Sequence, residues 1–115
     1  MGVYSTVMIM LEKTLNDEIL NSYPDIAEWL QQSDRKKVSE KGVRYDFKMT
    51  KWYEFDEDTE EAEFHDLLEK LYPDGERYAI WKFTSEYMFD GSCPLDQWGN
   101  FFDPEIYPYF HPIWE

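Results

Sequence analysis

The chain has 115 residues, the length of one domain, of which 43% are hydrophobic and 19% are aromatic. This aromatic content excludes an intrinsically disordered chain, although the formal net charge is −14. The single cysteine excludes an internal disulfide framework and indicates a reducing compartment, so we expect a cytoplasmic protein. The first residues lack the basic segment of a secretory signal, and their apolar run is far shorter than the roughly 20 residues of a membrane span.

The charge is distributed unevenly along the sequence. Residues 1–34 carry a net charge of −5, residues 35–51 carry +5, and residues 52–115 carry −14. A surface this acidic repels nucleic acid and anionic membranes, so we expect neither as a direct partner. It attracts a basic protein surface, although many small acidic proteins carry such charge only for solubility.

The first predicted element is a strand over residues 3–12. Apolar residues occupy both of its sides, with Val7 and Ile9 on one and Met8 and Met10 on the other. This pattern is typical of a central strand that is covered on both sides or lies against an interface. Residues 14–32 then have helical periodicity, as two helices or as one helix kinked at Pro24, because proline disfavours a helical residue before it and suits the first position of a helix.

Residues 33–41 are polar and basic and form either a loop or a strand. In the second case residues 36–39 pair with residues 44–47 across a turn made by residues 40–42. Gly42 would then supply the positive φ that such a turn requires.

The clearest strand pattern covers residues 43–55. Side chains at odd positions are apolar and those at even positions are polar, so we expect one side to be buried and the other to face solvent. Lys51 and Trp52 invert the alternation and predict a bulge or bend. The apolar set comprises Val43, Tyr45, Phe47, Met49, Tyr53 and Phe55, and the polar set comprises Arg44, Asp46, Lys48, Thr50 and Glu54.

The clearest helix pattern covers residues 59–72. Asp58 is the expected N-cap, with Glu61 completing a capping box. A turn at residues 73–75 then leads to a strand over residues 78–87, in which Ile80 interrupts the alternation. The apolar stripe of the helix, expected to face the core, comprises Phe64, Leu67, Leu68 and Leu71.

From residue 88 onward no regular pattern remains, while prolines and aromatic residues are frequent. We expect residues 101–115 to form an ordered aromatic tail packed on a body of residues 1–100, because exposed apolar area of that size is unfavourable. The predicted fold is α+β: a small sheet of about three to four strands, in the order β-α-β-α-β, covered by two to three helices. A second interpretation makes aromatic residues a docking surface for a partner, comprising Trp98, Tyr107, Tyr109, Phe110 and Trp114.

No motif indicates catalysis, and we expect no enzymatic activity, no cofactor and no metal. Asp56, Asp58 and Glu60 alternate as in a calcium loop, but Glu61 occupies the position that requires glycine. Three residues spaced four apart and centred on His65 would need a further ligand to hold zinc.

Two other groupings carry little chemical information. Cys93, Asp96 and His111 include a nucleophile and a base, but no pattern fixes their geometry. The basic residues of the segment 35–51 could contact nucleic acid, but the surrounding negative charge and the scarcity of neighbouring aromatic residues oppose this interpretation. Pairing with the acidic helix, within or between subunits, is the simpler explanation of these cations.

The strongest indication of function is a set of acidic residues that we call the acidic band. On a helical wheel Glu63, Asp66 and Glu69 point away from the apolar stripe, with Glu61 at its edge. Successive members of this row of three are about 4.5 Å apart along the axis. Each strand of a DNA duplex presents one phosphate about every 3.4 Å of the duplex axis, so such a row of carboxylates fits a phosphate-binding groove. The band comprises Glu54, Asp56, Glu57, Asp58, Glu60, Glu61, Glu63, Asp66 and Glu69.

In composition the chain is similar to small DNA-mimic inhibitors encoded by phages and mobile elements, and to acidic immunity proteins that block toxin nucleases. The similarity is one of composition and not of a motif. We therefore expect a non-enzymatic inhibitor, of the phage or mobile-element anti-defence type, that presents carboxylates to a basic, nucleic-acid-binding protein. The alternatives are an immunity or antitoxin protein directed at a toxin nuclease, and a small enzyme or metal protein with a hidden site. A homodimer is compatible with the sequence.

Overall fold

The computed structural model describes residues 5–50, 59–84 and 96–106. In these segments the chain forms five strands and three helices, in the order β1 (Ser5–Glu12), α1 (Lys13–Ser22), α2 (Pro24–Leu30), β2 (Arg35–Val38), β3 (Gly42–Thr50), α3 (Glu60–Leu71), β4 (Tyr78–Thr84) and β5 (Asp96–Gly99). All strand pairs are antiparallel, and the strands lie side by side in the order β2-β3-β1-β4-β5. The α+β class is confirmed, while the sheet has more strands than expected and a different order of elements. No helix of the described segments is long and apolar enough to cross a membrane.

β1 lies at the centre of the sheet because both of its sides are apolar. Its residues Val7 to Leu11 are at most 1% exposed. Val7 and Ile9 belong to the main core on the helical side of the sheet, whereas Met10 belongs to a second cluster that also contains Ala79 and Ile106. The predicted central strand, covered on both sides, is confirmed.

The main core lies between the sheet and the three helices. α1 and α2 are separate helices, because Tyr23 has non-helical backbone angles (φ −131°, ψ 76°) and Pro24 opens α2. Trp29 of α2 joins the layers: its ring centroid lies 5.1 Å from that of Phe47 on β3 and 5.3 Å from that of Phe64 on α3. Contacts between aromatic rings at these separations stabilise the core beyond simple burial.

The N-cap of α3 lies one residue after the predicted one. Thr59 is the N-cap, and its hydroxyl accepts a hydrogen bond from the backbone amide of Ala62 at 3.2 Å. Asp58, the expected cap, lies outside the described residues, as do Lys51 and Trp52 with their predicted bulge. A register shift between β1 and β3 does occur nearby, between the pairs that involve Ser5 and Val7.

The buried side of α3 is rotated relative to the predicted stripe. Phe64 and Leu68 are buried as expected, but Leu71 is 43% exposed. Tyr72, which follows the helix, packs against the core in its place. His65 is buried as well, because the ring of Trp98 on β5 lies against it.

The alternation in β3 predicted that the side of the sheet away from the helices faces solvent, but Arg44 and Asp46 on this side are buried. Arg44 is 6% exposed and Asp46 is fully buried. The reason is that residues 101–106 lie over this side, with Ile106 fully buried and Phe101 packed beside it. Arg44 Nε lies 3.1 Å from Asp46 Oδ1, so the two buried charges form an ion pair, although these atoms do not meet hydrogen-bond geometry. Arg44 Nη1 donates to the Ile106 carbonyl at 2.7 Å. Residues 107–115 lie outside the described segments, so the expectation of an ordered tail stays a prediction.

The segment after α2 forms a strand and not a loop, because β2 pairs with β3 from Arg35 opposite Asp46 to Val38 opposite Val43. Ser39 closes the turn between them: its amide donates to the Gly42 carbonyl at 2.8 Å and its hydroxyl accepts from the Gly42 amide at 3.0 Å. The same hydroxyl donates to a buried carboxylate, that of Asp103.

The expected positive φ at Gly42 is wrong. Among the described glycines, only Gly75 and Gly99 have positive φ, at 70° and 75°. The space around Gly42 is tight instead, since a Cβ there would lie 3.0 Å from both the Leu11 carbonyl oxygen and Ile106 Cδ1, and these neighbours would have to shift.

Candidate functional site

Five members of the acidic band lie on α3. Glu61 is half-buried, and the other four are exposed on the outer side of the helix. Because Thr59 caps the helix, three of them occupy its first turn, where the helix dipole stabilises negative charge. The exposed members are Glu60, Glu63, Asp66 and Glu69, and the band residues outside the described segments are Glu54, Asp56, Glu57 and Asp58.

A cleft of about 430 Å³ separates α2 from α3, and we call it the acidic cleft. Its two walls carry acids at a spacing of three residues, Asp25 and Glu28 on α2 and Glu60 and Glu63 on α3. This spacing places the acids of each wall on successive turns of one helix side. The remaining lining residues are Trp29, Gln32 and Thr59.

No cation of the described segments neutralises the acidic cleft. The four carboxylates have no ion-pair partner among these residues, and the cleft lining contains neither lysine nor arginine. The three helices together carry nine acidic residues and two lysines. The cations are concentrated instead on the edge strand β2 and the turn that follows it, at Arg35, Lys36, Lys37 and Lys41. The helical surface is therefore strongly negative.

The four exposed members of the acidic band on α3 are divided between two concave sites. Glu60 and Glu63 line the acidic cleft, whereas Asp66 and Glu69 line a second cavity of about 520 Å³ between α3 and the β4–β5 edge of the sheet. We call the second site the edge cavity. Its other lining residues are His65, Pro73, Tyr78, Ile80, Gln97, Trp98 and Gly99.

Aromatic rings form much of the edge cavity. Trp98 is half-buried and meets His65 edge-on, with ring centroids 4.7 Å apart at an interplanar angle of 70°. Burial, followed by the negative charges of Glu69 and Asp74, raises the pKa of Tyr78 above its ordinary value of 10.0. Burial and the nearby carboxylates therefore both disfavour ionisation of the Tyr78 hydroxyl. The other proposed docking aromatics, Tyr107, Tyr109, Phe110 and Trp114, lie outside the described residues.

Several site residues were missed from the sequence. Asp25 and Glu28 were not assigned to the binding surface, although their position on α2 places them opposite the band. His65 and Tyr78 were missed at the edge cavity. The spacing of His65, three residues before Leu68, was the one available signal that it shares the buried side of α3.

The described residues bear only in part on two of the alternative chemistries, metal binding and the nucleophile–base grouping. Among the described residues, no three or more histidine, cysteine, aspartate or glutamate side chains are grouped so that they could hold a metal ion. Cys93 and His111 lie outside those residues, so the nucleophile–base grouping stays without geometry.

Comparison of the chain with protein-family models, curated proteins and solved structures finds no match. A functional proposal therefore depends on the chemistry of the acidic cleft and the edge cavity. Both sites are concave, both are acidic, and both include members of the acidic band.

Proposed function

We propose that this protein is a non-enzymatic binding module that presents the acidic cleft to a basic protein, at a surface of that partner which otherwise holds nucleic acid. The observation that carries the proposal is the acidic cleft itself. Four exposed carboxylates on two helices converge on one concave surface that has no cation in its lining.

Convergence makes the carboxylates effective as a group. Like charges on facing walls repel one another, and this repulsion persists in the isolated protein because the lining supplies no cation. An arginine or lysine that enters the cleft contacts several carboxylates at once and relieves the repulsion. Hydrogen bonds between guanidinium and carboxylate groups are short and roughly twice as strong as neutral ones.

The arrangement also supports nucleic-acid mimicry. The acids on each wall lie about 4.5 Å apart along the helix axis, and each strand of a DNA duplex presents one phosphate about every 3.4 Å of the duplex axis. Two rows of negative charge on either side of a groove are also what a duplex presents to a protein. A nuclease or other nucleic-acid-binding protein has a complementary row of cations. A toxin nuclease is one partner of this kind.

The proposal is tested with two variants that lose the same amount of charge. The cleft variant carries Asp25→Asn, Glu28→Gln, Glu60→Gln and Glu63→Gln. The control variant removes four exposed carboxylates located away from the cleft, with Asp17→Asn, Glu40→Gln, Glu76→Gln and Glu105→Gln. Each variant is assayed for its ability to elute bound proteins from immobilised duplex DNA loaded with an extract of the organism that encodes the chain.

We expect the wild type and the control variant to displace the same protein from the DNA and the cleft variant to fail. Both variants should remain folded, since the substituted side chains are exposed and the loss of dipole stabilisation is offset by reduced self-repulsion. Thermal melting of each variant checks this expectation. Displacement by the cleft variant at the wild-type level would refute the proposal. Equal failure of both variants would show that net charge acts without the cleft.

A further inference from the structure

The edge cavity has a defined origin in the fold. Trp98 on β5 pairs with Ile80 on β4, and Ile80 belongs to the helical side of the sheet. Residues directly opposite in neighbouring strands lie on the same side, so the Trp98 ring projects toward α3. There it contacts His65, and the space beside this contact is the cavity.

The cavity combines aromatic walls with acids. Trp98 and Tyr78 supply the rings, and Ile80 supplies apolar surface. Asp66 and Glu69, one turn apart on α3, are exposed lining residues without an ion-pair partner among the described residues. The volume of about 520 Å³ lies within the usual range of ligand pockets, roughly 300–1,000 Å³.

This combination selects a particular ligand chemistry. The acids exclude anions, and an uncharged ligand leaves the two carboxylates uncompensated. A guanidinium group is planar, stacks on aromatic rings, is weakly hydrated and donates to carboxylates in a fork. An ammonium group is more strongly hydrated and cannot stack, so it suits a half-enclosed aromatic cavity less well.

The same chain already contains this arrangement between its own residues. The Arg77 guanidinium carbon lies over the Tyr72 ring, 4.7 Å from its centroid. Arg77 Nε is 2.7 Å from a carboxylate oxygen of Glu12, and Nη1 is 3.9 Å from one of Glu18. One aromatic ring and two carboxylates thus hold one guanidinium. The edge cavity presents two rings and two carboxylates, and its lining contains no arginine.

We infer that the edge cavity is an arginine-binding site, which receives an arginine side chain of the basic partner with its guanidinium against Trp98 and its donors on Asp66 and Glu69. This inference deepens the proposed function, because the partner is the expected source of the arginine. Its test uses isolated ligands, so either proposal can fail without the other.

The test is a titration of the full chain with four ligands, monitored by NMR through the indole N–H resonance of Trp98. The spectrum of a Trp98→Phe variant assigns this resonance. N-acetyl-arginine amide represents the partner's side chain. N-acetyl-citrulline amide has nearly the same shape without the charge, and N-acetyl-lysine amide carries an ammonium group. Free arginine represents a small-molecule ligand.

Two paired variants locate the binding. The cavity pair is Asp66→Asn with Glu69→Gln, and the matched control pair is Asp17→Asn with Glu40→Gln, which removes the same charge from exposed positions outside both the edge cavity and the acidic cleft. We expect N-acetyl-arginine amide to bind with a Kd in the millimolar range, on the order of −4 kcal/mol. The cavity pair should weaken it at least about fivefold and the control pair less than about twofold.

Four outcomes would overturn the inference. The citrulline or lysine compound could bind as tightly as the arginine compound, which would remove the basis for guanidinium recognition. The cavity pair could bind like the wild type, which would place the ligand elsewhere. The control pair could weaken binding as much as the cavity pair, which would indicate unspecific attraction. Free arginine could bind more tightly than its capped form, which would identify a small-molecule site.

Discussion

Replacement of Leu68 by alanine should lower the free energy of unfolding by roughly 2–5 kcal/mol. Leu68 is 1% exposed and lies in the main core, on the side of α3 that faces the sheet. Truncation leaves a cavity that the surrounding side chains fill only in part, and the lost contacts are not recovered. Urea denaturation monitored by circular dichroism measures the loss.

Leu71→Ala is the matched control for this result. The substitution is the same and the helix is the same, but Leu71 is 43% exposed. We expect it to cost less than about 1 kcal/mol, because a surface truncation leaves no buried cavity. Similar costs for the two variants would contradict the orientation of α3 and restore the stripe that the sequence predicted.

Replacement of Gly99 by alanine should destabilise the fold by at least about 3 kcal/mol. Gly99 has a φ of 75°, which alanine adopts only with strain. Its added Cβ would also lie 2.2 Å from the carbonyl oxygen of Tyr78, so the end of β5 would have to move away from β4. Because Tyr78 and Gly99 line the edge cavity, binding of N-acetyl-arginine amide should be lost as well.

Gly75→Ala separates the two contributions to that cost. Gly75 has a similar φ of 70°, but a Cβ there would lie 3.0 Å from Gly99 Cα, a milder approach. The conformational strain alone costs about 1–2 kcal/mol, so this variant should be the more stable of the two in the same urea titration. A Gly99→Ala protein as stable as the wild type would show that β5 does not pair with β4 as described.

Local patterns predicted the elements that local physics determines. β1 was identified as central because both of its sides are apolar. Pro24 located the boundary between α1 and α2, although a single helix kinked there was the alternative. The capping residue of α3 was misplaced by one position, since an aspartate and a threonine are both good caps and stand side by side. β5 has four residues and too little alternation to be recognised.

Features that depend on distant segments were not predictable in this way. Arg44 and Asp46 follow the alternation of a solvent-facing side, yet they are buried by residues about 60 positions further along the chain. The acidic cleft depends on Trp29 packing against Phe64, which brings α2 beside α3. Nothing within either helix alone indicates that contact. The acids were visible in the sequence, but their separation into two sites was not.

We propose that the acidic cleft, and not net charge alone, binds the partner. The most direct measurement is the association rate of the purified partner with the wild type, the cleft variant and the control variant over a range of salt concentrations. Electrostatic steering raises association rates and weakens as salt screens the charges. We predict that the cleft variant associates more slowly than the control variant at low salt and that its rate depends less on salt. Equal rates and equal salt dependences for the two variants, each with the same net charge, would contradict the claim.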